Sequence, residues 1–442
     1  MKTNVDQQTE IKELFQNMKK EADLWHLINV AKKHIHGTKA SNFKPKLLQH
    51  LILKDAKEFN LENSTSVFYH QFEIKKKSGG IRTIHAPHPK LKEVQEALNY
   101  IFQCVYLPHP NATGFVVGKS IVDNAKKHVN QKYVYNLDLK DFFPSIDKSR
   151  VWGRLLIAPF NLKNSPKGIK IANMIASICC TKLDVERIKD GVSHTILTSV
   201  LPQGAPTSPT LTNAICEKMD IRLAGAAKRF GLQYSRYADD ITFSSNHNAC
   251  EYAKGKFEKI YKKNSVFDKE VRRIITDQNF RINESKVRLQ VKNVKQEVTG
   301  ITVNEKLNVS RDYIKQLRKW LYYWESYGFD KASTFFTQNY MAEKGHLVSK
   351  KPNMTHVLEG KLLYLKMVKG AEDSTYIGLK TRFEKLSGRV NKIDQLLDVW
   401  EKEGVEAAIS FYNFGKKAKK IATIVDFESF LIDNINIDNK IL

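Results

Sequence analysis

The chain has 442 residues, a formal net charge of +25 at pH 7 and a pI near 9.6. A basic excess of this size predicts a polyanionic partner whose binding weakens as salt rises, and the length suits two or three packed modules. No apolar run approaches the ~20 residues that span a bilayer, and no signal-peptide pattern opens the chain, so a membrane protein is not expected.

Five cysteines occur without paired Cys-x-x-Cys spacing. This usage favours reduced, mostly buried thiols in a cytosol. The histidines are scattered and lack cysteine neighbours, which argues against a zinc site.

The N-terminal stretch carries apolar residues at helical spacing from Ile11 to His34, with lysines between them. The pattern predicts one helical run. Two interpretations stay open: a helix packed against the next module, or one that also contacts RNA.

A basic hairpin is predicted from Phe72 to Ile84, where two strand-like segments flank Gly79 and Gly80. Three consecutive lysines and an arginine crowd this hairpin. Their mutual repulsion is relieved if an anion binds there; the alternative is a solvated basic hairpin.

The stretch from Gly114 to Ser120 superficially resembles a phosphate-binding loop. A Walker A loop has one more residue between its glycines and follows a buried strand, whereas a turn-like segment precedes Gly114 here. We therefore predict a short helix from Ser120 to His128.

The segment from Tyr133 to Ile146 opens as an alternating strand. Tyr135 and Leu137 fall on its apolar side, and Asp138 falls on its polar side. A helix near Ile169 to Cys180 and a charged segment to His194 follow, and no chemistry is assigned to them.

A turn signal from Leu201 to Pro209 leads into a predicted helix from Thr210 to Phe230. Ser208 is the expected N-cap, with Pro209 as the first helical residue. The junction would present backbone N–H groups to a phosphate or nucleotide, or be an ordinary entry into a helix.

The sharpest signal is the segment from Tyr237 to Asp240, which lies between two alternating segments and predicts a hairpin with an acidic tip. The adjacent carboxylates of Asp239 and Asp240 repel each other unless a cation neutralises them, and Mg²⁺ prefers such ligands. If this hairpin pairs with the earlier strand, Asp138 and Asp239 would face one another. They would hold two cations roughly 4 Å apart for in-line phosphoryl transfer, with the carbonyl of Leu139 as a further ligand. The alternative is a solvated Asp-Asp turn.

Later segments add basic and aromatic groups. Lys286 is either a surface lysine or, as the resemblance described below implies for a lysine in this segment, the donor of a proton to a departing pyrophosphate. A strand is predicted over 297–303, and a helix capped by Ser310 is expected to run to Trp324. The basic side chains of that helix, which lie among aromatic rings and suit RNA phosphates, are Arg311, Lys315, Arg318 and Lys319.

Three segments resemble, in order, motifs A, B and C of reverse transcriptases: Leu137–Ile146, Leu201–Pro209 and Tyr237–Asp240. Asn124-Ala-x-x-His128 and Val298-Thr-Gly300 make the chain most similar to the bacterial retron and retron-like branch.

The resemblance, which covers roughly residues 45–388, implies an α+β right-hand polymerase. Such a fold has fingers, a palm with an antiparallel sheet and a helical thumb, here with extensions at both ends. The expected division is an N-terminal helical extension over 1–44, fingers with part of the palm over 45–136, a palm over 137–304 with a fingers insertion at about 147–200, a helical RNA-binding thumb over 305–390 and a C-terminal extension over 391–442.

The resemblance also implies roles for individual residues. The residues expected to bind the nucleotide are Lys77, Arg82, Asp141, Phe143, Gln203 and Gly204, with Lys76 a weaker candidate. The cations would neutralise the triphosphate. Phe143 would pack under the sugar and collide with a 2′-hydroxyl, which favours dNTPs. Asn124 and His128 would contact RNA, with a structural role equally open for His128.

The implied function is RNA-directed DNA synthesis on a structured non-coding RNA, in antiphage defence in the bacterial cytoplasm. Two Mg²⁺ ions, with Mn²⁺ as a substitute, would bind Asp138, Asp239 and Asp240. Retrons proper prime from an RNA 2′-hydroxyl and make a branched RNA–DNA product; the priming mode, an effector or toxin partner and the oligomeric state are left open here. Three alternatives are considered. The first is a defence polymerase that makes repetitive, untemplated or protein-primed DNA, and another is a non-catalytic RNA-binding protein. A group II intron maturase lacks support because no Cys/His endonuclease spacing is found.

Overall fold

The computed structural model describes residues 5–52, 68–75, 80–189, 192–247, 260–344 and 351–388, together with 404 and 407. The chain divides into two compact units, Met1–Asn308 and Val309–Leu442. Across these described ranges, every helix is too short or too polar to cross a bilayer.

The N-terminal run forms two helices, α1 (Val5–Gln16) and α2 (Glu21–His36), followed by α3 (Pro45–Ile52). The prediction of one continuous helix is wrong because Asp23 caps a new start. Its Oδ2 accepts hydrogen bonds from the backbone N–H groups of Lys19, at 2.8 Å, and Lys20, at 3.0 Å. One face of each helix is buried, and the buried residues are Ile11 and Phe15 in α1 and Leu24, Leu27, Ile28 and Ala31 in α2.

The predicted basic hairpin is present as antiparallel strands β1 (Tyr69–Lys75) and β2 (Ile81–Pro87). Its tip, with Lys76 and Lys77, lies outside the described residues. Helix α4 (Pro89–Val105) follows and packs against α1 and α2. The predicted short helix is α5 (Ile121–Lys126), and the Oγ of its N-cap Ser120 accepts a hydrogen bond from the N–H of Val122.

The first acidic strand is β3 (Tyr133–Lys140), followed by α6 (Lys148–Leu156) and α7 (Gly168–Cys179). The charged segment after α7 is a long antiparallel hairpin of β4 (Thr181–Lys189) and β5 (Val192–Val200). The predicted helix is thus observed, and the charged segment gains a structure that its sequence did not reveal.

Helix α8 (Ser208–Arg229) leads into the second acidic hairpin, β6 (Gln233–Tyr237) and β7 (Asp240–Ser245). The prediction that Ser208 is the N-cap is wrong. The helix begins at Ser208, and its hydroxyl donates to the carbonyl of Pro202 at 2.8 Å.

A five-stranded antiparallel sheet is completed by two short strands after helix α9 (Val266–Asp277): β8 (Arg281–Ile282) and β9 (Arg288–Val291). The order is β6-β7-β3, and β8 and β9 pair with different parts of the other edge of β3. Strand β3 is therefore the centre of the sheet. The ring of Phe243 packs edge-on against Phe267 of α9, with the ring centroids 5.0 Å apart, so α9 covers one face.

The strand predicted over 297–303 is instead a minimal hairpin of β10 (Glu297–Val298) and β11 (Ile301–Thr302). Thr299 and Gly300 have φ angles of +49° and +83°. Two consecutive left-handed residues reverse the chain, which a continuous strand cannot do.

The second unit contains four described helices: α10 (Arg311–Tyr327), α11 (Phe329–Lys344), α12 (Met354–Lys369) and α13 (Ser374–Ser387). Ser310 caps α10 as predicted, since its Oγ accepts a hydrogen bond from the N–H of Tyr313 at 3.2 Å. The extension predicted over 391–442 lies outside the described residues apart from 404 and 407, and the finer domain boundaries stay predictions.

Candidate active site

The two acidic strands pair directly. Strands β3 and β7 are antiparallel, and Asp138 lies opposite Asp240. Because Tyr237 pairs with Asp240, only Ala238 and Asp239 form the loop of the hairpin. The backbone N–H of Leu139 donates to the carbonyl of Asp239 at 3.1 Å, which joins the loop to β3. The predicted convergence is observed, but the partner of Asp138 across the strands is Asp240 rather than Asp239.

The three carboxylates form a concentrated negative charge, in which Asp239 is partly buried and Asp240 is exposed. Asp138 is only 6% exposed. Burial, and next the charge of Asp138, raises the pKa of Asp239. Burial, followed by the charges of Asp239 and Asp138, raises the pKa of Asp240 to about 7. A cation placed among these groups would relieve both costs.

Lys286 lies at the same place. It belongs to a 3₁₀ turn, Glu284–Lys286, between β8 and β9, and its Nζ donates to Oδ2 of Asp138 at 2.8 Å. Asn283, which the sequence reasoning missed, donates from Nδ2 to Oδ1 of Asp138 at 3.2 Å and from its backbone N–H to the carbonyl of Asp138 at 2.8 Å. The signal available in the sequence was its polar side chain, three positions before Lys286.

The donor set fits a hard divalent cation, since Asp138, Asp239 and Asp240 offer carboxylate oxygens. Asp138 and Asp240 line an open cavity of about 580 Å³. Among the described residues no three His, Cys, Asp or Glu side chains are already arranged as a coordination group. Lys286 supplies the positive charge to Asp138 instead. The role of the Leu139 carbonyl as a ligand stays a prediction.

A second cavity, of about 410 Å³, brings together three of the predicted nucleotide-binding residues, Arg82, Asp141 and Gln203. Lys182 and Asp184 of β4 also line it, and the sequence reasoning assigned them nothing. The segment 147–200 therefore supplies one wall of this cavity.

The turn before α8 is locked to the basic hairpin. The N–H of His85 donates to the carbonyl of Gln203 at 2.8 Å. Gly204 has a φ of +130°, and a Cβ there would lie 2.6 Å from the carbonyl oxygen of His85. Only glycine combines this conformation with this close approach.

Two residues predicted to contact the nucleotide have side-chain partners within the protein. The carboxylate of Asp141 binds the guanidinium of Arg281 at 3.1 Å. Phe143 is half-buried, with its ring centroid 6.2 Å from that of Phe115 and 5.4 Å from that of Phe142.

The RNA contact predicted for Asn124 is wrong, and His128 takes the structural role that was left open for it, because both side chains are 0% exposed. The ring nitrogens of His128 lie 2.6 Å from Oγ of Ser244 and 2.7 Å from Oγ of Ser235. Oδ1 of Asn124 accepts a hydrogen bond from Thr113 at 2.8 Å. Both residues hold the fold together behind the acidic hairpin.

In the second unit, the four basic residues predicted to bind RNA are all exposed on α10. The indoles of Trp320 and Trp324 are each only 7% exposed and belong to the core of the unit, whereas Tyr322 is 57% exposed. Lys319 lies over the ring of Trp320, with its Nζ 4.8 Å from the centroid. This face thus remains a candidate RNA surface.

The family model described as "Reverse transcriptase (RNA-dependent DNA polymerase)" matches residues 74–303, which include all of the acidic strands. The chain therefore belongs to the reverse transcriptase family, and the predicted fold class, an α+β right-hand polymerase, is confirmed.

Within that family its similarity is to retron enzymes, as the motifs predicted. It is 36% identical to the Retron Mx65 reverse transcriptase of Myxococcus xanthus, over 58% of this chain and 55% of that protein. It is 35% identical to the Retron Mx162 enzyme of the same species, over 59% and 53%, and 31% identical to the Retron Ec86 enzyme of Escherichia coli, over 54% and 63%. The chain thus spans between half and two thirds of the length of these relatives.

Proposed function

We propose that the protein is a retron-type RNA-directed DNA polymerase. The observation that carries the proposal is the pairing of β3 with β7, which places Asp138 opposite Asp240 inside the segment that matches the reverse transcriptase family. A solvated Asp-Asp turn would not require a third carboxylate, that of Asp138, to lie opposite Asp240 on the paired strand.

The carboxylates of Asp138, Asp239 and Asp240 would hold Mg²⁺, with Mn²⁺ as a substitute. When bound, such ions activate the attacking hydroxyl and stabilise charge on the triphosphate. Lys286, whose Nζ is 2.8 Å from Asp138, would give a proton to the departing pyrophosphate.

The neighbouring cavity would bind the dNTP. Arg82 and Lys77 would neutralise the triphosphate. Asp141, held by Arg281, would orient this charge, and Gln203 with Gly204 would contact the nucleotide. Phe143 would lie against the sugar and exclude a 2′-hydroxyl.

A structured non-coding RNA is the proposed template and lasting partner. The support is the net charge of +25 and the exposed basic face of α10, formed by Arg311, Lys315, Arg318 and Lys319. By its similarity to retron enzymes, we propose a branched RNA–DNA product, action in the bacterial cytoplasm, and a role in antiphage defence with an effector protein.

The test uses the full chain purified with its co-purifying nucleic acid, Mg²⁺, dNTPs and a primed RNA. Wild-type protein should extend the primer, and Asp239→Asn should abolish extension. Asp330→Asn, an exposed aspartate in the first turn of α11, is the matched control and should extend normally. Equal extension by wild type and Asp239→Asn would refute the assignment.

Sequencing the co-purified RNA and DNA identifies the product. A covalent RNA–DNA branch supports retron priming. DNA joined to protein, or long DNA without a matching template, would instead select a protein-primed or untemplated defence polymerase. RNA that co-purifies with a protein unable to make any DNA would select the non-catalytic RNA-binding alternative.

A further inference from the structure

A completely buried ion pair lies directly behind the acidic turn. Arg236 is the next-to-last residue of β6 and Asp220 belongs to α8, and both side chains are 0% exposed. The guanidinium is bidentate: Nε lies 2.7 Å from Oδ1 of Asp220 and Nη2 lies 2.6 Å from Oδ2. The hydroxyl of Tyr234 donates a further bond to Oδ1 of Asp220 at 2.7 Å.

The same guanidinium reaches the catalytic turn. Nη1 of Arg236 donates to the carbonyl of Ala238 at 3.0 Å. Ala238 has a φ of +56°, a left-handed conformation that costs energy for any residue with a Cβ. Asp239 follows immediately, so this bond helps to fix the backbone from which its carboxylate projects.

A second contact meets the same residue at its backbone N. Gly114 approaches so closely that a Cβ there would lie 2.5 Å from the backbone N of Ala238. Asn213 of α8 links the two supports: Nδ2 donates to the carbonyl of Gly114 at 2.8 Å, and Oδ1 accepts a bond from Arg236 at 3.1 Å.

Stability alone does not account for this arrangement. Removing two charges from water is costly, and well-packed apolar residues often replace a buried ion pair without loss of stability. An apolar side chain, however, could not hold the Ala238 carbonyl. A lysine could not bond both Asp220 oxygens and this carbonyl either, because it lacks the planar fork of arginine.

We propose that Arg236 and Asp220 are positioning residues for the divalent cation. Their ion pair holds Ala238 in its left-handed conformation, so that Asp239 and Asp240 meet Asp138. It also ties this turn to α8, which begins at Ser208. The inference rests on the proposed function only in taking these carboxylates as the metal site.

The first test is Mn²⁺ binding to the full chain, followed by electron paramagnetic resonance, with Asp239→Asn used to assign the signal to this site. Arg236→Lys keeps the charge beside Asp220 but loses the fork. We expect it to weaken Mn²⁺ binding about 10- to 100-fold, as is typical when a group supporting a metal ligand is removed. Tyr234→Phe removes a bond to the same Asp220 without touching Ala238, and should bind Mn²⁺ like wild type.

A second variant disturbs the turn without altering the ion pair. Gly114→Ala places a methyl group against the N of Ala238 and should also weaken Mn²⁺ binding. Gly153→Ala is its control, because a Cβ at Gly153 in α6 meets no atom within 4 Å. Circular dichroism melts confirm that each variant is folded, and Gly114→Ala carries the test if Arg236→Lys does not fold.

Wild-type Mn²⁺ affinity in folded Arg236→Lys or, failing that variant, in folded Gly114→Ala would overturn the inference. Equal weakening by Tyr234→Phe would also overturn it, because the effect would then be general loosening around Asp220. The outcome is separable from the proposed function. A wild-type protein that binds Mn²⁺ at Asp239 but extends no primer would refute the proposed polymerase activity and leave the positioning role of Arg236 and Asp220 intact.

Discussion

His128 should make folding stability depend on pH. Its imidazole is 0% exposed between the hydroxyls of Ser235 and Ser244, and burial, followed by the charge of Lys127, lowers its pKa from 6.5 to about 3. In the unfolded chain the ring takes its ordinary pKa, so the unfolded state binds the proton first. The stabilisation is therefore complete above about pH 6.5 and is lost as the pH falls toward 3.

The size of the effect follows from the difference between the two pKa values. Each unit of pKa difference corresponds to ~1.4 kcal/mol, so the full difference between the two pKa values contributes at most about 5 kcal/mol to the free energy of unfolding. At one pH unit below the ordinary pKa, about 1 kcal/mol of this contribution is lost. The assay measures the free energy of unfolding by urea denaturation at pH 7.5 and at pH 5.5. Hydrogen-exchange protection of the β7 amides is the readout. His128→Gln, which cannot titrate, should lose about 1 kcal/mol less than wild type between these pH values.

Carboxylates titrate equally in both proteins, so their contribution cancels in this comparison. His356→Gln, an exposed position in the first turn of α12, is the matched control and should keep the wild-type pH dependence. If His128→Gln and wild type lose the same free energy of unfolding, the buried neutral imidazole is not responsible.

Three further predictions concern the nucleotide cavity. Phe143→Ala should raise incorporation of NTPs relative to dNTPs by about 10- to 100-fold, measured as a ratio of kcat/KM values, because the ring no longer excludes the 2′-hydroxyl; an unchanged ratio would leave Phe143 as a packing residue only. Gly204→Ala should raise the KM for dNTPs, because its methyl group would lie 2.6 Å from the carbonyl of His85 and separate the turn from β2; a wild-type KM in steady-state kinetics contradicts this. Arg281→Gln should also raise the KM for dNTPs while kcat changes little, because Asp141 loses its partner at 3.1 Å; a fall in kcat alone would point to a different role.

Much of the catalytic sheet could be predicted because its signals are local. Alternation of apolar and polar residues marked β3, β6 and β7, and the two adjacent aspartates marked the turn. The register between β3 and β7 was harder to predict. We expected Asp138 to face Asp239. The two-residue loop begins at Ala238, a non-glycine residue with positive φ, and this sets Asp240 opposite Asp138.

Features set by distant contacts were missed. Asn124 looked like a polar group available to RNA, and for His128 an RNA contact and a structural role were equally open. Only the tertiary structure shows that Oδ1 of Asn124 binds Thr113 and that the ring of His128 lies between Ser235 and Ser244. Polar residues in a sequence do not reveal whether their partner is solvent, a ligand or another side chain.

The short 3₁₀ turn that carries Lys286 has a consequence for protein engineering. It separates two stretches, β8 and β9, that both pair with β3, so the number of residues between Ile282 and Arg288 determines which way the lysine points. Since a shift of one position sends a strand's side chains to the opposite face, an insertion or deletion here would do more harm than most exchanges of residue type. Chimaeras that graft this segment from another polymerase should therefore preserve its length before its composition.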